Sequence, residues 1–419
     1  MKVLLLGSGG REHALAWKLA QSPRLSRLLV GPGNPGTARW GTNVPLQADS
    51  PEAVVSLARR ERVDLVVVGP EAPLVAGVAD ALAQVDIPCF GPVAAAARIE
   101  GSKAFAKEVM AEAGVPTAAF RVFTDAAEAE AYAVAQGRIV VKADGLAAGK
   151  GVIVAPDAKA AREAVRAVAE MGQAGQRMVL EELLEGEEVS LMALCDGERY
   201  VLLPLSQDHK RVGEGDTGPN TGGMGAYCPA PFLTPAQLAQ VGEQVIAPTL
   251  AVLKKRGTPL RGVLYAGLML TASGPKVLEF NARFGDPETQ VLMMQVDEDL
   301  LPLMEACAKG TLEPRPLKQF PGASVGVVLA AEGYPEAPKK GQRIEGLDAV
   351  ASNAPVFLAG VAKQDGALVT AGGRVLTVCA RGDSLATARE RALESADAVR
   401  FEGKHFRRDI GARGLRAKS

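Results

Sequence analysis

Apolar runs and helical patterns alternate through about the first hundred residues of the chain. Three continuous apolar runs predict buried strands, at Val3–Leu6, Leu28–Val30 and Asp64–Val68. Helical patterns lie between them, at Arg11–Ala20 and Pro51–Glu61. Strands that are apolar along their whole length are typical of parallel sheets covered by helices on both faces. The pattern therefore predicts an N-terminal doubly wound parallel-sheet domain over residues 1–102.

The pattern changes near Ser102, where a helix begins that runs to Met110. Hairpin-like strands and glycine-rich loops continue to about residue 318, and Val189–Leu194 and Arg199–Leu205 predict an antiparallel pair. Later elements are predicted at Val325–Ala330, Val356–Val361, Leu368–Thr370 and Arg374–Ala380 as strands, and at Ser384–Val399 as a helix. The fold class is therefore α/β and α+β in several domains. A central domain is predicted over 103–318 and a small mixed α/β C-terminal domain over 319–419.

Charge and cysteine usage exclude several classes of protein. The 419 residues include 47 Lys and Arg against 48 Asp and Glu. This balance disfavours binding to nucleic acid or to a membrane surface, because both require a basic excess. No apolar run reaches about 18 residues, the length that spans a bilayer. Five scattered cysteines without a C-x-x-C pair predict neither a zinc site nor a disulfide framework, and we expect a cytoplasmic protein.

The N-terminal glycine cluster, Gly7 to Gly10, resembles the start of a dinucleotide-binding fold. The dinucleotide fingerprint requires a third glycine where Glu12 stands, and an acidic residue at the end of the second strand, which reads Leu29 to Pro32. A dinucleotide is therefore disfavoured. Two interpretations of the turn remain open at even odds: a phosphate cradle at a helix N-terminus, or a turn that only joins strand to helix.

A second glycine-rich loop lies between two β-branched strands at residues 138–154. It contains Gly145, Gly149, Lys150 and Gly151, and a strand follows it, whereas a helix follows the loop of a P-loop protein. This arrangement predicts a hairpin flap that closes its backbone amides over phosphates, with Lys142 reaching the α- and β-phosphates. A solvated hairpin tip is the less favoured alternative, because a long glycine loop has an entropic cost without packing.

Acidic residues follow the next strand. Glu181, Glu182, Leu183 and Leu184 are predicted to offer backbone groups to an adenine edge, and Glu188 to bind ribose hydroxyls. Taken alone, this stretch is equally consistent with a solvated acidic turn.

The stretch KVLEFNARFGDPETQ at 276–290 carries the pattern of a metal site. Glu279 and Asn281 lie two residues apart on a predicted strand, so their side chains share one face. Two oxygen ligands, completed by water and phosphate, suit Mg²⁺. Arg283 continues the alternation and is placed to neutralise a transferring phosphoryl group, and Asp286 and Glu288 follow on a predicted loop. A structural ion-pair network is the alternative.

A long polar loop is predicted at 206–227, with six glycines and almost no apolar residue before Met224. Such a loop inside a compact domain is usually functional or disordered. His209 raises the possibility of general base catalysis. Its neighbours Asp208, Lys210 and Arg211 favour a phosphate or carboxylate site instead.

Together these motifs carry a specific resemblance. They are GSGGREHALAW at the start, GPEAPLV at 69–75, GSKAF at 101–105, VKADGLAAGKGV at 141–152, SQDHKR at 206–211, DTGPNTGGMGAY at 216–227, NARFGDPETQ at 281–290 and FRRDIG at 406–411. In this order the chain resembles the phosphoribosylamine–glycine ligase family, also called glycinamide ribonucleotide synthetases, of the ATP-grasp superfamily. The resemblance covers essentially the whole chain. It implies a pre-ATP-grasp N-terminal domain and a central ATP-grasp domain with a mobile flap subdomain at about 119–188.

The resemblance also implies an activity. ATP with Mg²⁺, or Mn²⁺ in its place, phosphorylates the carboxylate of glycine to glycyl phosphate, and the amine of 5-phospho-β-D-ribosylamine then attacks it. The products are glycinamide ribonucleotide, ADP and phosphate, in de novo purine synthesis. Glycine and phosphoribosylamine are the expected partners, with a possible transient contact to the amidophosphoribosyltransferase that makes phosphoribosylamine. Such chemistry requires positioning and charge neutralisation more than a protein nucleophile.

By position, the resemblance assigns roles to individual residues. The ATP-binding set is Lys103, Lys142, Gly145, Gly149, Lys150, Gly151, Glu181, Glu182, Leu183, Leu184, Glu188, Arg211 and Asn220. The metal ligands are Glu279 and Asn281, and the catalytic residues are Arg283 and Lys142. The substrate-binding set is Gly9, Gly10, Asn34, Glu71, Asp208, Asp286 and Glu288. Ala282 stands where many relatives have cysteine, and its side chain is expected to point away from the metal.

Two rival interpretations stay open at the level of sequence. The first is another ATP-grasp carboxylate–amine ligase or a bicarbonate-using carboxylase of the purine pathway, which shares the fold and the Mg²⁺ chemistry. The second is a non-catalytic nucleotide-binding regulator. The presence of Glu279, Asn281 and Arg283 disfavours the regulator, because a sensor does not require a phosphoryl-transfer set.

Overall fold

The computed structural model describes residues 1–145, 151–350 and 354–417. The N-terminal elements are β1 (Lys2–Gly7), α1 (Gly10–Leu19), β2 (Arg27–Pro32), β3 (Thr42–Asn43), α2 (Pro51–Glu61), β4 (Leu65–Val68), α3 (Glu71–Val75), α4 (Val78–Ala83), β5 (Cys89–Phe90) and α5 (Ala94–Gly101). The five strands pair in parallel in the order β3-β2-β1-β4-β5. This confirms the doubly wound sheet, whose central strands β1 and β4 are buried on both faces.

The next segment contains a small sheet with an apolar core of its own. Its elements are α6 (Lys103–Ala113), β6 (Phe120–Phe123), α7 (Ala126–Gln136), β7 (Ile139–Ala143), β8 (Val152–Ala155), α8 (Ala158–Ala169) and β9 (Met178–Glu181). The strands form a sheet in the order β6-β9-β7-β8, and α7 and α8 contribute to its separate apolar core, which includes Val141, Val165 and Leu180. The predicted hairpin is confirmed, because β7 pairs antiparallel with β8. The tip of this hairpin, which includes Gly149 and Lys150, lies outside the described residues.

A long antiparallel sheet follows. The elements are β10 (Glu187–Asp196), β11 (Tyr200–Leu202), β12 (Gln207–Asp208), β13 (Arg211–Gly213), β14 (Thr217–Asn220), β15 (Gly225–Cys228), α9 (Pro235–Val241), α10 (Ala247–Lys255), β16 (Arg261–Thr271), β17 (Gly274–Asn281), α11 (Glu288–Gln295) and α12 (Leu300–Lys309). The sheet runs β11-β10-β16-β17, which confirms the predicted β10–β11 pair. The prediction of one long loop at 206–227 is wrong, because β12 to β15 lie within or overlap this stretch.

The C-terminal region completes a sheet that begins in the central region. Its elements are β18 (Ala323–Ala330), β19 (Val356–Leu358), β20 (Val361–Gln364), β21 (Ala367–Thr370), β22 (Arg374–Gly382), α13 (Leu385–Ala398) and α14 (Ala412–Arg416). The strand order is β12-β15-β18-β22-β19, so strands from both sides of residue 318 share one sheet. The single strand predicted at Val356–Val361 is wrong, because Ala359 and Gly360 separate β19 from β20. No helix among the described residues has the length and apolarity to cross a membrane.

His13 joins the N-terminal domain to this C-terminal sheet. It lies on α1, its Nδ1 accepts a hydrogen bond from the Leu358 N–H at 2.7 Å, and its ring packs edge-on against Phe357. Burial, helped by the charge of Arg39, lowers the pKa of His13 from 6.5 to about 3. The folded protein therefore holds this imidazole neutral in the range where an unfolded chain protonates it.

Acid is expected to weaken the protein through His13. Between pH 6.5 and about 3 the unfolded chain binds a proton that the folded chain does not bind at this site. The free energy of unfolding therefore falls as pH falls, by up to about 1.4 kcal/mol per pH unit for one group. Urea unfolding at several pH values between 5 and 7 measures this slope. His13→Asn keeps an acceptor near the Leu358 N–H and removes the titration, so a slope equal to that of the wild type would contradict the prediction.

Candidate active site

A buried lysine–glutamate cluster lies where β7, β9 and α6 meet. The Glu181 Oε2 atom accepts a hydrogen bond from Lys107 Nζ at 2.5 Å, and the other carboxylate oxygen forms an ion pair with Lys142. Lys142 Nζ also donates to the Leu278 carbonyl at 3.0 Å. Val140 stands opposite Glu181 in the β7–β9 pair, so Lys142, two residues on, projects to the same face. The Glu181 side chain thus pairs with two lysines, and the prediction that this stretch offers its backbone groups to adenine is compatible with that pairing.

Removing the charge of Glu181 is expected to destabilise the fold. Glu181 and Lys107 are both 2% exposed, and Glu181→Gln leaves two buried ammonium groups without their counter-charge. Loss of one partner from a buried pair typically costs about 3–5 kcal/mol. Chemical denaturation measures the change in the free energy of unfolding. Glu185→Gln is the matched control, because its ion pair with Arg138 is exposed and is expected to contribute less than about 1 kcal/mol. Equal stability of the two variants would contradict the prediction.

Four cationic side chains surround the carboxylate of Glu279 on β17. Burial alone raises the pKa of Glu279, but the charges of Lys210, Lys142, Lys103 and Arg283 outweigh it and hold the pKa below its ordinary value. The carboxylate is therefore ionised at neutral pH. Three of these cations also pair with other carboxylates, Lys142 with Glu181, Lys210 with Glu188 and Arg283 with Glu100. The group therefore gathers ammonium and guanidinium donors of the kind that bind phosphate within a charge-balanced network.

Asn281 and Arg283 lie next to Glu279, but only Asn281 is on the strand with it. β17 ends at Asn281, so the alternation predicted to continue to Arg283 is wrong. The arginine is held instead by Glu100 on α5, whose carboxylate lies 2.8 Å from Arg283 Nη2 and accepts a hydrogen bond from the Ala282 N–H at 2.8 Å. Arg283 Nη2 remains 3.5 Å from Asn281 Oδ1. The predicted metal and catalytic residues therefore converge.

Asp208, Lys210 and Glu188 form a second charged group beside the first. Lys210 makes an ion pair with Glu188. Burial raises the pKa of Asp208 to about 8 against the opposing effect of Lys210, and the carboxylates of Glu288 and Glu188 add to the rise. The charge of Lys210 lowers the pKa of both Asp208 and Glu279, so this lysine links the two groups. The structure thus brings together the central residues that the sequence predicted for phosphate, ribose and substrate.

Glu288 occupies a different element from the one predicted. It is the first residue of α11 rather than part of a loop, and it is 3% exposed. Its carboxylate accepts a hydrogen bond from the Tyr265 hydroxyl at 2.6 Å and one from Ser190 at 3.3 Å. Asp286, just before the helix, accepts a bond from Gln290 at 2.8 Å. The helix start turns both carboxylates inward.

The N-terminal glycine turn packs against this helix start. A Cβ added to Gly9 would lie 3.7 Å from an Asp286 oxygen, and one added to Gly10 would lie 2.9 Å from Gln290 Nε2. The Gly9 N–H donates to Glu12 at 2.7 Å. The residue that breaks the dinucleotide fingerprint therefore caps the turn itself. The turn is glycine-rich at least in part because another element approaches it closely.

Asn34 and Glu71, also predicted for substrate, have protein partners. Asn34 Nδ2 donates to the Ser8 and Leu358 carbonyls at 2.7 and 2.8 Å, and its Oδ1 accepts from the Gly36 N–H at 2.7 Å. Glu71 begins α3 and lies 3.5 Å from Arg283 Nε. Asn34 therefore links its own loop to the N-terminal glycine turn and to Leu358. Glu71 faces Arg283, the predicted catalytic arginine.

The remaining residues predicted for ATP make contacts of their own with the protein. Lys103 Nζ donates to the Gly145 carbonyl at 3.1 Å, and the Gly151 carbonyl accepts a bond from Ala143 at 2.8 Å. Glu182 lies 3.8 Å from Lys276, and Leu184 is buried. Arg211 and Asn220 stand opposite each other on β13 and β14. Among the described residues, no hydrogen bond or ion pair joins these two to the Glu279 group.

His209 does not have the position of a general base. Its side chain is buried, and burial together with the charges of Arg407 and Arg413 lowers its pKa from 6.5 to about 4. Its Nε2 accepts a hydrogen bond from the Gly411 N–H at 3.3 Å. The ring therefore contacts the C-terminal region.

Comparison with known proteins decides among the families that share this arrangement. Models of the phosphoribosylglycinamide synthetase N domain, ATP-grasp (A) domain and C domain match residues 1–100, 101–289 and 324–413. The chain belongs to the phosphoribosylglycinamide synthetase family. The ATP-grasp match identifies the central region of this synthetase as ATP-binding.

Related proteins match over their whole length. Phosphoribosylamine–glycine ligase of Rhizobium meliloti is 51% identical over 421 residues, which cover 99% of each chain. The ligase of Caulobacter vibrioides is 51% identical over 424 residues, covering 100% of this chain and 99% of the relative. The crystal structure of phosphoribosylamine–glycine ligase from Thermotoga maritima has a TM-score of 0.85 and 37% identity, covering 98% of this chain and 100% of the other.

More distant structures share the fold of this synthetase. A biotin carboxylase from Campylobacter jejuni, solved as a β,γ-ATP complex, has a TM-score of 0.74 at 15% identity and covers 97% of this chain and 92% of its own. At that identity the likeness extends to the fold and no further.

Sequence patterns missed several residues of the site in this synthetase. Glu100 holds Arg283, Lys107 shares the Glu181 carboxylate, and Tyr265 donates to Glu288. Arg374 donates to the Asp286 carbonyl at 2.7 Å from the C-terminal sheet. Their signal in the sequence is weak, because each is a single polar residue in an otherwise ordinary helix or strand.

Proposed function

We propose that the chain joins glycine to 5-phospho-β-D-ribosylamine at the expense of ATP, giving glycinamide ribonucleotide, ADP and phosphate. Family membership makes it an ATP-dependent ligase of purine biosynthesis. The observation that carries the proposal at the site is the convergence of Glu279, Asn281 and Arg283 with three lysines. A carboxylate substrate and ATP are both anions, and such a group neutralises them together.

The donor set at β17 fits a Mg²⁺ ion. Glu279 is ionised and Asn281 offers an amide oxygen on the same face, and both are hard oxygen ligands. Among the described residues there is no cluster of three or more His, Cys, Asp or Glu side chains arranged for a metal. Two protein ligands suit Mg²⁺, which usually keeps waters and binds nucleotide phosphates. When bound, Mg²⁺ or Mn²⁺ in its place would polarise phosphoryl oxygens.

The chain's own residues supply positioning and charge. We assign Lys103 and Lys142 to the ATP phosphates, and Arg283 to the charge on the phosphoryl group as it passes to the glycine carboxylate. The resulting glycyl phosphate has phosphate as its leaving group, so the ribosylamine nitrogen displaces it without a protein nucleophile. Asp208 and Glu288 are assigned to the glycine side.

Other assignments of the sequence remain part of the proposal. The adenine and ribose are assigned to the stretch from Glu181 to Leu184 and to Glu188. The glycine hairpin, Gly145 to Gly151, is assigned to the triphosphate, and Arg211 and Asn220 to the phosphates. The ribosylamine phosphate is assigned to the turn formed by Gly9 and Gly10, with Asn34, Glu71 and Asp286 around it. The domain limits 1–102, 103–318 and 319–419, and the mobility of the flap at 119–188, belong to the same proposal.

The proposed setting is the cytoplasm, where ATP and Mg²⁺ are supplied. Phosphoribosylamine is unstable, and a transient contact with the amidophosphoribosyltransferase that makes it remains a prediction. Co-sedimentation of the two proteins with and without substrates would measure such a contact.

ADP release tests the reaction directly. The assay contains MgATP, glycine and ribosylamine generated in situ, and each is omitted in turn. ADP release that requires both glycine and ribosylamine is the expected result. Release supported by bicarbonate in place of glycine would move the chain to the carboxylating branch of the ATP-grasp enzymes. No release under any condition would favour a nucleotide-binding regulator.

A further inference from the structure

The segment 405–413, which contains the FRRDIG motif, contacts a hairpin far away in the sequence. We call this segment the C-terminal clamp. The hairpin is formed by β13 and β14, and Arg211 and Asn220 stand opposite each other at its base. Arg407 in the clamp and Arg211 in the hairpin are 196 residues apart. The proposed reaction gives this motif no role of its own.

The Arg407 guanidinium is the centre of the contact. Its side chain is 1% exposed, and Nη1 donates to the Arg211 carbonyl and to Asp216 Oδ1, each at 3.0 Å. Asp409 accepts from Nε at 2.8 Å and from Nη2 at 2.7 Å. A planar guanidinium held on one edge by a carboxylate directs its remaining donors in a fixed direction. Arg407 therefore fixes the first strand and the turn of the hairpin together.

Further contacts fasten the hairpin turn to the clamp. Asp409 Oδ2 accepts a hydrogen bond from the Gly215 N–H at 2.9 Å. Glu214 Oε1 accepts one from the Arg408 N–H at 2.8 Å. The hairpin turn and the C-terminal clamp thus each contribute one backbone N–H and one side-chain carboxylate to the contact.

The hairpin depends on such contacts for its position. All four residues of β14 are exposed, and an isolated two-stranded hairpin is at best marginally stable in water. Arg211 Nη1 donates to the Gly218 carbonyl within the hairpin, which shapes the hairpin without attaching it to the rest of the protein. The base of the hairpin continues into the β12–β15 pair through a hydrogen bond from the Thr221 N–H to the Lys210 carbonyl at 2.7 Å. Its outer part is attached by the buried Arg407 contact, together with the ion pair between Arg413 and Asp216.

We propose that Arg407 is a positioning residue for the ligase reaction. It holds the hairpin so that Arg211 and Asn220 are presented to the phosphates of the nucleotide. The inference rests on the proposed function, which gives these two residues their role. The C-terminal domain thereby takes part in phosphoryl transfer through a hairpin of the central region.

The first test measures the hairpin without nucleotide in the full-length chain. Amide hydrogen exchange of residues 211–220 is compared between the wild type, Arg407→Gln and Asp216→Asn. Both variants are expected to exchange at least about tenfold faster, because each breaks a contact between the hairpin and the buried Arg407 side chain. Arg408→Gln is the matched control in the same motif, since its side chain pairs with Asp397 outside the hairpin. Its exchange is expected to equal that of the wild type.

The second test separates positioning from general stability. Arg407→Gln is expected to lower kcat/KM for ATP by about 10- to 100-fold while KM for glycine stays unchanged. Arg407→Lys keeps the positive charge but lacks the planar guanidinium with its paired N–H donors. It is expected to recover only part of the lost kcat/KM for ATP. In a background of Arg211→Ala with Asn220→Ala, Arg407→Gln is expected to add little further loss, because the residues it positions are gone.

Each outcome decides the inference. Unchanged exchange in Arg407→Gln, or faster exchange with wild-type kcat/KM, overturns the positioning role. If Arg407→Gln fails to fold, Asp216→Asn carries the same two measurements, because Asp216 is partly exposed on the hairpin side. A wild-type chain without glycine-dependent ADP release overturns the proposed function itself. That result differs from an active wild type whose Arg407→Gln variant is equally active.

Discussion

Replacing Glu279 and Asn281 together by alanine is expected to lower ligase turnover by at least about 10³-fold, since removal of even one preorganised charge-stabilising group costs about 10²- to 10³-fold. The two residues are the proposed metal ligands, and the described residues contain no group of three or more His, Cys, Asp or Glu side chains arranged for a metal. ADP release at saturating glycine and ribosylamine measures the effect. Substantial activity at saturating Mg²⁺ would remove the metal assignment.

Controls for this pair separate loss of the metal from loss of the fold. Glu279 also balances the surrounding lysines, so circular dichroism and urea unfolding must show that the double variant remains folded. Glu163→Ala is the matched control, because Glu163 is an exposed glutamate on α8. Glu279→Gln alone keeps the side-chain shape and tests the charge. Wild-type turnover in this variant would contradict a role for the ionised carboxylate.

Arg283→Gln is expected to lower kcat by about 10³-fold, at the lower end of what an arginine contributes when it stabilises a transferring phosphoryl group. KM for ATP is expected to change little, because Lys103 and Lys142 keep the proposed phosphate contacts. Burial opposes the charge of Arg283, yet Glu100 and Glu71 raise its pKa further above its ordinary value. Single-turnover ADP formation measures the phosphoryl-transfer step apart from product release.

Glu100→Gln tests whether the position of Arg283 matters as well as its charge. The variant weakens the 2.8 Å contact to Arg283 and leaves the arginine charged. A smaller loss of kcat, about tenfold, is expected, because misplacing a charge reduces but does not abolish its effect. A loss in Arg283→Gln no larger than that in Glu100→Gln would assign the effect to local structure instead of charge.

Much of the fold follows from local signals in the sequence. Pro51–Glu61 was predicted with both ends correct, because Ser50 caps the helix with its side chain and Pro51 is favoured at the first position. The strands β12 to β15 carry no such signal. β15 gains its identity by pairing with β18, about a hundred residues later, and its surroundings are polar and glycine-rich. The periodicity of apolar residues within one segment carries no information about pairing with a strand so distant in the sequence.

The site likewise contains residues that sequence spacing indicates and residues that only the folded chain brings together. Strand spacing placed Glu279 and Asn281 on one face, since side chains two apart on a strand share a face. The role of Glu100 depends on an approach between segments 182 residues apart, which spacing does not contain. Glu12 is similar: the sequence showed that it breaks a fingerprint, and the structure shows why, because its carboxylate caps Gly9.

The distance between the hairpin and the C-terminal clamp also has a consequence for synthesis on the ribosome. With 196 residues between Arg211 and Arg407, and translation at about 5–20 residues per second, the hairpin emerges roughly 10 to 40 s before its anchor. In the later part of that interval a nascent chain already contains β17 with its Glu279 and Asn281, but its hairpin still lacks the Arg407 contact. The contact that positions Arg211 and Asn220 therefore forms only after translation has passed residue 407.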